Sequence, residues 1–270
     1  MQSQNHVDFN VICALRGAVL FVGQLQYLSI HSTVTSATIV GLDTEIKKRV
    51  KGNIEWMSSR CFVFDGTLSH ETALNGSVGI LFADPGSEIG EVLTMEAGPN
   101  GLSSNPIWAQ ELIVTCFEIQ KANPEQYPNI LSHSFPFNRL TSAKKIQDDD
   151  RLIHVLRRLI NSPEETVNVE ELAHEIGMSE SWLQHEFKNV VGLPIRAFRK
   201  WFRIKTAVIA LKRGATLADA ALNAGFYDQA HFTNVFRDIF GISPSIIFKK
   251  GESIRWYIQN EQIDTILKVL

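Results

Sequence analysis

The rhythm of apolar positions changes partway along the chain. Over roughly the first 100 residues they come in short runs rich in β-branched and aromatic side chains: residues 14–22 (ALRGAVLFV), 36–42 (SATIVGL), 60–64 (RCFVF) and 78–82 (VGILF). Turn-forming pairs separate them, at Asp65-Gly66, Asn75-Gly76 and Asp84-Pro85-Gly86. Short strands at such spacing predict a small sandwich or barrel. Residues 99–106 (PNGLSSNP) break the pattern.

A helix is expected next, over residues 105–121, with Asn105 as N-cap and Pro106 in the first turn. Ile107, Trp108, Glu111, Leu112, Thr115, Cys116 and Ile119 fall on or near one face, which is mostly apolar. Residues 123–136 hold prolines that end it, and the polar run 144–150 (KKIQDDD) leads into a second domain. From Arg151 the period is helical: Leu152, Val155, Leu156 and Leu159 make one stripe, and Ser162-Pro163 stops it.

Residues 169–192 (VEELAHEIGMSESWLQHEFKNVVG) predict a short helix, a glycine turn at Gly177, and a second helix capped by Ser179 with Leu183 and Phe187 inward. Residues 217–241 repeat the design. Ala221 and Gly225 lie 48 residues after Ala173 and Gly177, while Phe232 and Phe236 lie 49 after Leu183 and Phe187. The offset implies one extra residue in the second turn, with Asp228 as the second cap. A lone glycine-turn hairpin is a weak signal; two in register are a strong one. Between them, residues 195–211 (IRAFRKWFRIKTAVIAL) predict a connecting helix about 26 Å long. That suits two heads reading adjacent major grooves, about 34 Å apart, on one face of a duplex.

These residues resemble the DNA-binding module of AraC/XylS-type transcription regulators. The second unit carries the resemblance in Gly225-Phe226, Asp228-Gln229, His231-Phe232, Phe236, Phe240-Gly241 and Ser243-Pro244. The connecting helix matches at Arg203, Ala207 and Leu211. The first unit matches at Leu172-Ala173, Gly177-Met178-Ser179, Leu183, Phe187-Lys188 and Gly192. Tyr227 stands where the family usually has Ser, and Leu193-Pro194 shortens the usual Gly-x-Ser-Pro. The resemblance covers residues 150–250. It implies an α+β protein with a regulatory and dimerisation domain (1–145), in many members a cupin-like β-barrel, and an all-α DNA-binding domain (146–250). The latter would hold helix-turn-helix units at 169–190 and 217–240, with an extension at 251–270.

Once the inward apolar positions are set aside, the polar edges of the two second helices remain. Ser181, Gln184, His185 and Lys188 in the first unit, and Gln229, Ala230, Thr233, Asn234 and Arg237 in the second, are the candidate DNA contacts. Gln and Asn pair bidentately with adenine, Lys and Arg with guanine, and Ala meets a thymine methyl. Arg196, Arg199, Lys200, Lys249 and Lys250 are candidates for phosphate, with a merely solvated face as the alternative. Trp182 reads as half-buried packing and His231 as a packed, hydrogen-bonded ring.

Charge supports this placement. The whole chain carries −3, but residues 151–250 hold 14 Lys/Arg against 10 Asp/Glu, while residues 1–150 hold 10 against 16. Attraction to polyphosphate is screened within about 10 Å, so the local sign matters. With 44% apolar and 20% charged residues the chain reads as a soluble globular protein. No apolar run approaches the roughly 20 residues of a membrane span. The first ten residues (MQSQNHVDFN) lack a secretory pattern, and three scattered cysteines fit a reducing cytoplasm.

The expected partners are promoter DNA, RNA polymerase, a second copy of the chain, and either a small-molecule effector or a regulatory protein. No cofactor or metal is expected. Trp108, Leu112, Cys116 and Ile119 form a stripe that either mediates dimerisation or packs on its own domain. The tail 252–270 suggests an amphipathic helix. Two enzymatic readings are weaker. A metal centre would draw on His31, His70-Glu71 and His133, which lack ligand spacing. A methyl-accepting thiolate would need Cys13, Cys61 or Cys116 in a basic, accessible setting, and all three sit among apolar residues.

Overall fold

The computed structural model describes residues 9–15, 17–134, 149–162, 168–248 and 253–259. Gly17 adopts φ +76°, so the apolar run at 14–22 is not one strand. It folds back as a hairpin of β1 (Phe9–Leu15) and β2 (Ala18–His31). Then come β3 (Ala37–Gly41), β4 (Ile46–Val50), β5 (Met57–Ser59), β6 (Cys61–Phe64) and β7 (His70–Ala83). The Asn75-Gly76 pair lies inside β7 beside a register shift against β2, and so marks an irregularity in a long strand rather than a turn. Asp84-Pro85-Gly86 does turn the chain, and Ser87 then caps α1 (Glu88–Ala97). Short β8 (Leu102–Ser104) precedes α2 (Ala109–Lys121) and α3 (Tyr127–Ser132). Asn105 does not cap α2: it sits at φ +49° and its side-chain oxygen accepts from Ser59.

The second half is helical: α4 (Asp150–Asn161), α5 (Val169–Glu175), α6 (Glu180–Val191), α7 (Ile195–Lys212), α8 (Leu217–Asn223), α9 (Gln229–Phe240) and α10 (Pro244–Ile247). The tail departs from the helix expected of it. Residues 253–258 form β9 (Ser253–Ile258), which pairs parallel with β1, and residues 260–270 lie outside the described residues. Ile254, Trp256 and Ile258 recur at a period of two, the spacing a sheet edge accepts.

The strands among the described residues join one sheet, in the order β8-β6-β3-β7-β2-β1-β9, with β4 bridging β7 and β5. The sheet is open, which corrects the expected barrel. The physical reason is its packing. One face is covered by α1, α2 and α3 through Leu20, Leu81, Leu93 and Leu112. The other receives the helical half, which packs Trp201, Phe202, Ile204, Phe236 and Ile239 against Phe21, Ile39, Ile80 and Phe82. A sheet whose inner face is filled by helices has no apolar reason to close on itself.

The α2 stripe is thereby settled as packing within the chain. Trp108 is 8% exposed, and Leu112, Cys116 and Ile119 are fully buried against the sheet. These four side chains are therefore not available to a second copy. The exposed positions of α2 are others, such as Val114. Among the described residues, no helix is long and apolar enough to cross a membrane.

Candidate nucleic-acid interface

Each short helix pair is built by the same local devices. In the first, Asn168 caps α5, Gly177 at φ +67° turns the chain, and the Ser179 hydroxyl accepts from the Trp182 amide at 3.2 Å to start α6. In the second, Thr216 caps α8, Gly225 turns at φ +77°, and the Asp228 carboxylate accepts from the His231 amide at 2.7 Å to start α9. One residue, Met178, separates the first glycine from its cap; two, Phe226 and Tyr227, separate the second. This is the inserted residue the spacing implied. Leu183 and Phe187 of α6, and Phe232 of α9, are fully buried, with Phe236 at 5%. Both second helices end on a left-handed glycine, Gly192 and Gly241.

Most of the outward positions are exposed. Ser181, Gln184, His185 and Lys188 are exposed on α6, and Gln229, Ala230, Asn234 and Arg237 on α9; Thr233 is half-buried. Gln184 donates to Glu180 at 3.2 Å, and Asn189 and His185 meet at 3.2 Å, so both α6 side chains are oriented along the helix surface. Arg196 and Lys200 are exposed at the start of α7, whereas Arg199 is half-buried there and burial holds its guanidinium below the ordinary value. Lys249 and Lys250 lie outside the described residues. Trp182 is half-buried under the Arg151 guanidinium, 4.6 Å from the ring centroid. His231 is exposed, yet its ring packs edge-on against Phe226 and its Nδ1 accepts from the Tyr227 amide.

The connecting helix α7 is more than a spacer. It has 18 residues, about 27 Å at 1.5 Å per residue. Its buried side chains include Trp201 and Lys205, which reach into the sheet domain. Trp201 Nε1 donates to Asp84 at 2.8 Å, and the Lys205 ammonium meets the other Asp84 oxygen at 2.6 Å. The C-terminal end of α9 is gripped as well. The Gly241 carbonyl accepts from both the backbone amide and the hydroxyl of Ser29, each at 2.8 Å, and the Asp238 carbonyl accepts from the Ser32 amide. Only glycine fits here, since a Cβ at Gly241 would collide with the His31 ring and the Ser29 carbonyl. Between sheet and helices lies a cavity of about 100 Å³, lined by Phe21, Leu28, Ile80, Phe82, Trp201 and Phe240 among others. Sequence reasoning found none of Asp84, Lys205, Ser29 or Gly241 as a contact between the two halves. The available signal was Lys205, which falls four residues after Trp201 and so on the same face of the connecting helix.

The alternative chemistries are placed too. His31 and His70 do come together, with ring centroids 4.4 Å apart. Glu71, however, points away and is engaged by Tyr27 and Arg49, and His133 lies at the end of α3. Among the described residues no group of three or more His, Cys, Asp or Glu could hold a metal. All three thiols are buried, and burial pushes Cys13 up to about 12 and Cys61 up to about 11, the opposite of the activated thiolate a methyl acceptor needs.

Burial also holds His31 down to about 4 and His70, beside Lys48, down to about 2. Below about pH 6.5 the unfolded chain binds protons that these folded imidazoles refuse. Their contribution is therefore fully present above that pH and is lost as the pH falls towards about 4. Each such histidine should cost about 1.4 kcal/mol per pH unit across that window. Urea midpoints measured between neutral pH and the folded value of His31 should fall steeply, and a His31→Asn, His70→Asn variant should flatten the fall. An unchanged slope in that variant would refute the assignment.

Two capped helix pairs on one connecting helix, docked on an open sheet, make up the helical half. The family profile described as "Helix-turn-helix domain" matches residues 172–250. The matched residues are similar to the DNA-binding module of AraC/XylS-type regulators. It is 30% identical over 113 residues to the HTH-type transcriptional regulator MtrA of Neisseria gonorrhoeae, covering 42% of this chain and 38% of that one. It is 27% identical over 176 residues to the virulence regulon transcriptional activator VirF of Yersinia enterocolitica, covering 59% of this chain and 64% of that one. The chain thus spans less than two thirds of these curated relatives. The fold is similar along most of its length to a single-substitution variant of apo ToxT from Vibrio cholerae, with a TM-score of 0.55 at 12% identity, covering 87% of this chain and 98% of that one. It is also similar to unsaturated fatty acid bound wild-type ToxT from the same organism, with a TM-score of 0.50 at 12% identity and coverage of 87% and 96%.

Proposed function

We propose that the chain is a sequence-specific transcription regulator that lays α6 and α9 into adjacent major-groove segments of one promoter duplex, under control of its sheet domain. The observation that carries this reading is the pair of identically built helix hairpins with exposed polar edges inside a matched helix-turn-helix module. Gln184, His185, Gln229 and Asn234 supply base contacts, Ala230 and the half-buried Thr233 meet methyl groups, and Lys188, Arg196 and Arg237 hold phosphates. VirF is a transcriptional activator, which favours activation here, with RNA polymerase as partner. A dimer would use surfaces other than the buried α2 stripe.

Control acts through the junction. The sheet holds α7 by Asp84 and the end of α9 by Ser29 and Ser32, so anything that reshapes the cavity between them biases the two reading helices together. ToxT has been solved with an unsaturated fatty acid, which supports a small apolar effector over a protein partner. For the test, a preferred duplex is selected from a random pool. Gln229→Ala and Asn234→Ala should each weaken that duplex by about 1–3 kcal/mol and relax sequence choice. Variants as tight and as selective as the parent would remove α9 from the interface.

A further inference from the structure

The two helix pairs are not equivalent at the start of their second helices. The second turn is one residue longer than the first. Phe226 takes the inward place there, at 4% exposed, and Tyr227 is left outside at 85%, immediately before the Asp228 cap. The third residue of each second helix differs as well. In both its amide is held by the cap, Trp182 by Ser179 and His231 by Asp228, so the positions correspond. Trp182 is half-buried under Arg151, whereas His231 is exposed. The second head thus presents a phenol and an imidazole where the first presents packing.

The local geometry fixes what the imidazole can offer. Its ring packs edge-on against Phe226, and its Nδ1 accepts from the Tyr227 amide at 3.3 Å. A ring nitrogen that accepts carries no proton, so the proton of this neutral ring sits on Nε2, which is a donor. Neither that N–H nor the Tyr227 hydroxyl has a partner among the described residues. At about 100° per residue, Ala230, Asn234 and Arg237 form the centre of the outward face of α9, and His231 stands roughly 90° to one side. From a helix lying in the major groove, central side chains reach base edges and flanking ones reach the groove wall, which is sugar and phosphate. The nearby carboxylates do not occupy that place: Asp228 turns inward to the His231 amide, and Asp238 lies about 10 Å further along the axis.

Resting on the reading of α9 as a major-groove helix, we infer that Tyr227 and His231 clasp the DNA backbone beside it as two neutral donors. The His231 Nε2–H and the Tyr227 hydroxyl donate to phosphate oxygens of the strand that forms the groove wall. The clasp sets where α9 begins in the groove and carries no sequence information of its own. The first head has no counterpart, so the second head is the one whose register on the duplex is fixed by uncharged contacts.

The full chain is titrated onto the selected duplex and onto a scrambled one, at several salt concentrations and neutral pH, read by fluorescence anisotropy. Tyr227→Phe and His231→Ala should each weaken binding about three- to tenfold, by the same factor on both duplexes. The slope of log affinity against log salt should stay at the parent value, because a neutral donor releases no counterion. His231→Gln, which places an amide N–H near the Nε2 position, should recover most of the loss. Single methylphosphonates walked along the duplex should weaken the parent at one or two positions, and those positions should cease to matter to the Tyr227→Phe, His231→Ala double variant. A shallower salt slope in His231→Ala marks the ring as a cation and refutes the fixed tautomer. Losses confined to the selected duplex make the pair base readers and overturn the clasp, and failure of His231→Gln to recover reduces the ring to packing. If both variants bind as the parent does while Gln229→Ala and Asn234→Ala relax sequence choice, the clasp is wrong and α9 stays in the groove. If all four bind as the parent does, the reading of α9 itself falls.

Discussion

Asp84→Ala should lower the stability of the chain by about 3–5 kcal/mol, the range for breaking a buried ion pair from one side. Asp84 and Lys205 side chains are each 9% exposed, so solvent does little to screen their attraction or to rescue the survivor. The carboxylate also accepts from the Trp201 indole, so its loss strands two donors at once. Those donors lie on α7, and the acceptor lies at the end of β7 on the turn into α1. The variant therefore strikes the joint between the sheet and the DNA-binding half. Guanidinium unfolding followed by far-UV circular dichroism measures the loss. The double variant Asp84→Leu, Lys205→Met should recover most of it, because two apolar side chains of similar size leave no unpaired group. A loss below about 1 kcal/mol for the single variant would mean that water reaches the pair and that the joint is looser than the geometry indicates.

The second large effect belongs to α9. Phe232 is fully buried, 5.2 Å from the Phe226 ring and 5.7 Å from that of Phe236. Phe232→Ala should cost about 3–5 kcal/mol through lost burial and the void left behind. The helices cannot refill that void, since Phe236 also packs on Phe240 and Phe248. Affinity for the selected duplex should fall with it, because the outward residues of α9 keep their geometry only while its inward edge is seated. Tyr227, one residue before the α9 cap and 85% exposed, is the control, and Tyr227→Ala should stay within about 0.5 kcal/mol. Equal stability of the two variants would disprove the inward placement of Phe232. A Phe232→Ala protein that still binds the duplex at full strength would take α9 out of recognition.

The helical half was legible because its information is local. A glycine at φ +67° or +77°, a Ser or Asp cap, and apolar residues four apart each act within one or two turns, and the chain repeats all three. The exposed edges followed, since what is not inward on so short a helix faces out. The strands were legible as strands, but not their joins. One apolar run hid the hairpin at Gly17, and Asn75-Gly76 read as a turn because that pair makes one in most settings, whereas here β2 pairs with β7 on both sides of the register shift and keeps the strand running.

What the sequence determined by itself, then, is the DNA-binding half: its helices, its caps, its one-residue offset and its outward polar edges. Only the tertiary structure decided that the sheet stays open, that α2 buries its stripe at home, that the tail returns as a strand beside β1, and that Lys205 and Gly241 meet partners far along the chain, in Asp84 and Ser29. The division has a physical cause. Caps and periodicity are fixed by neighbours a few residues away. Whether a sheet closes, and whether a buried lysine meets a carboxylate, depends on which surface arrives from a distant part of the chain, and no local pattern carries that.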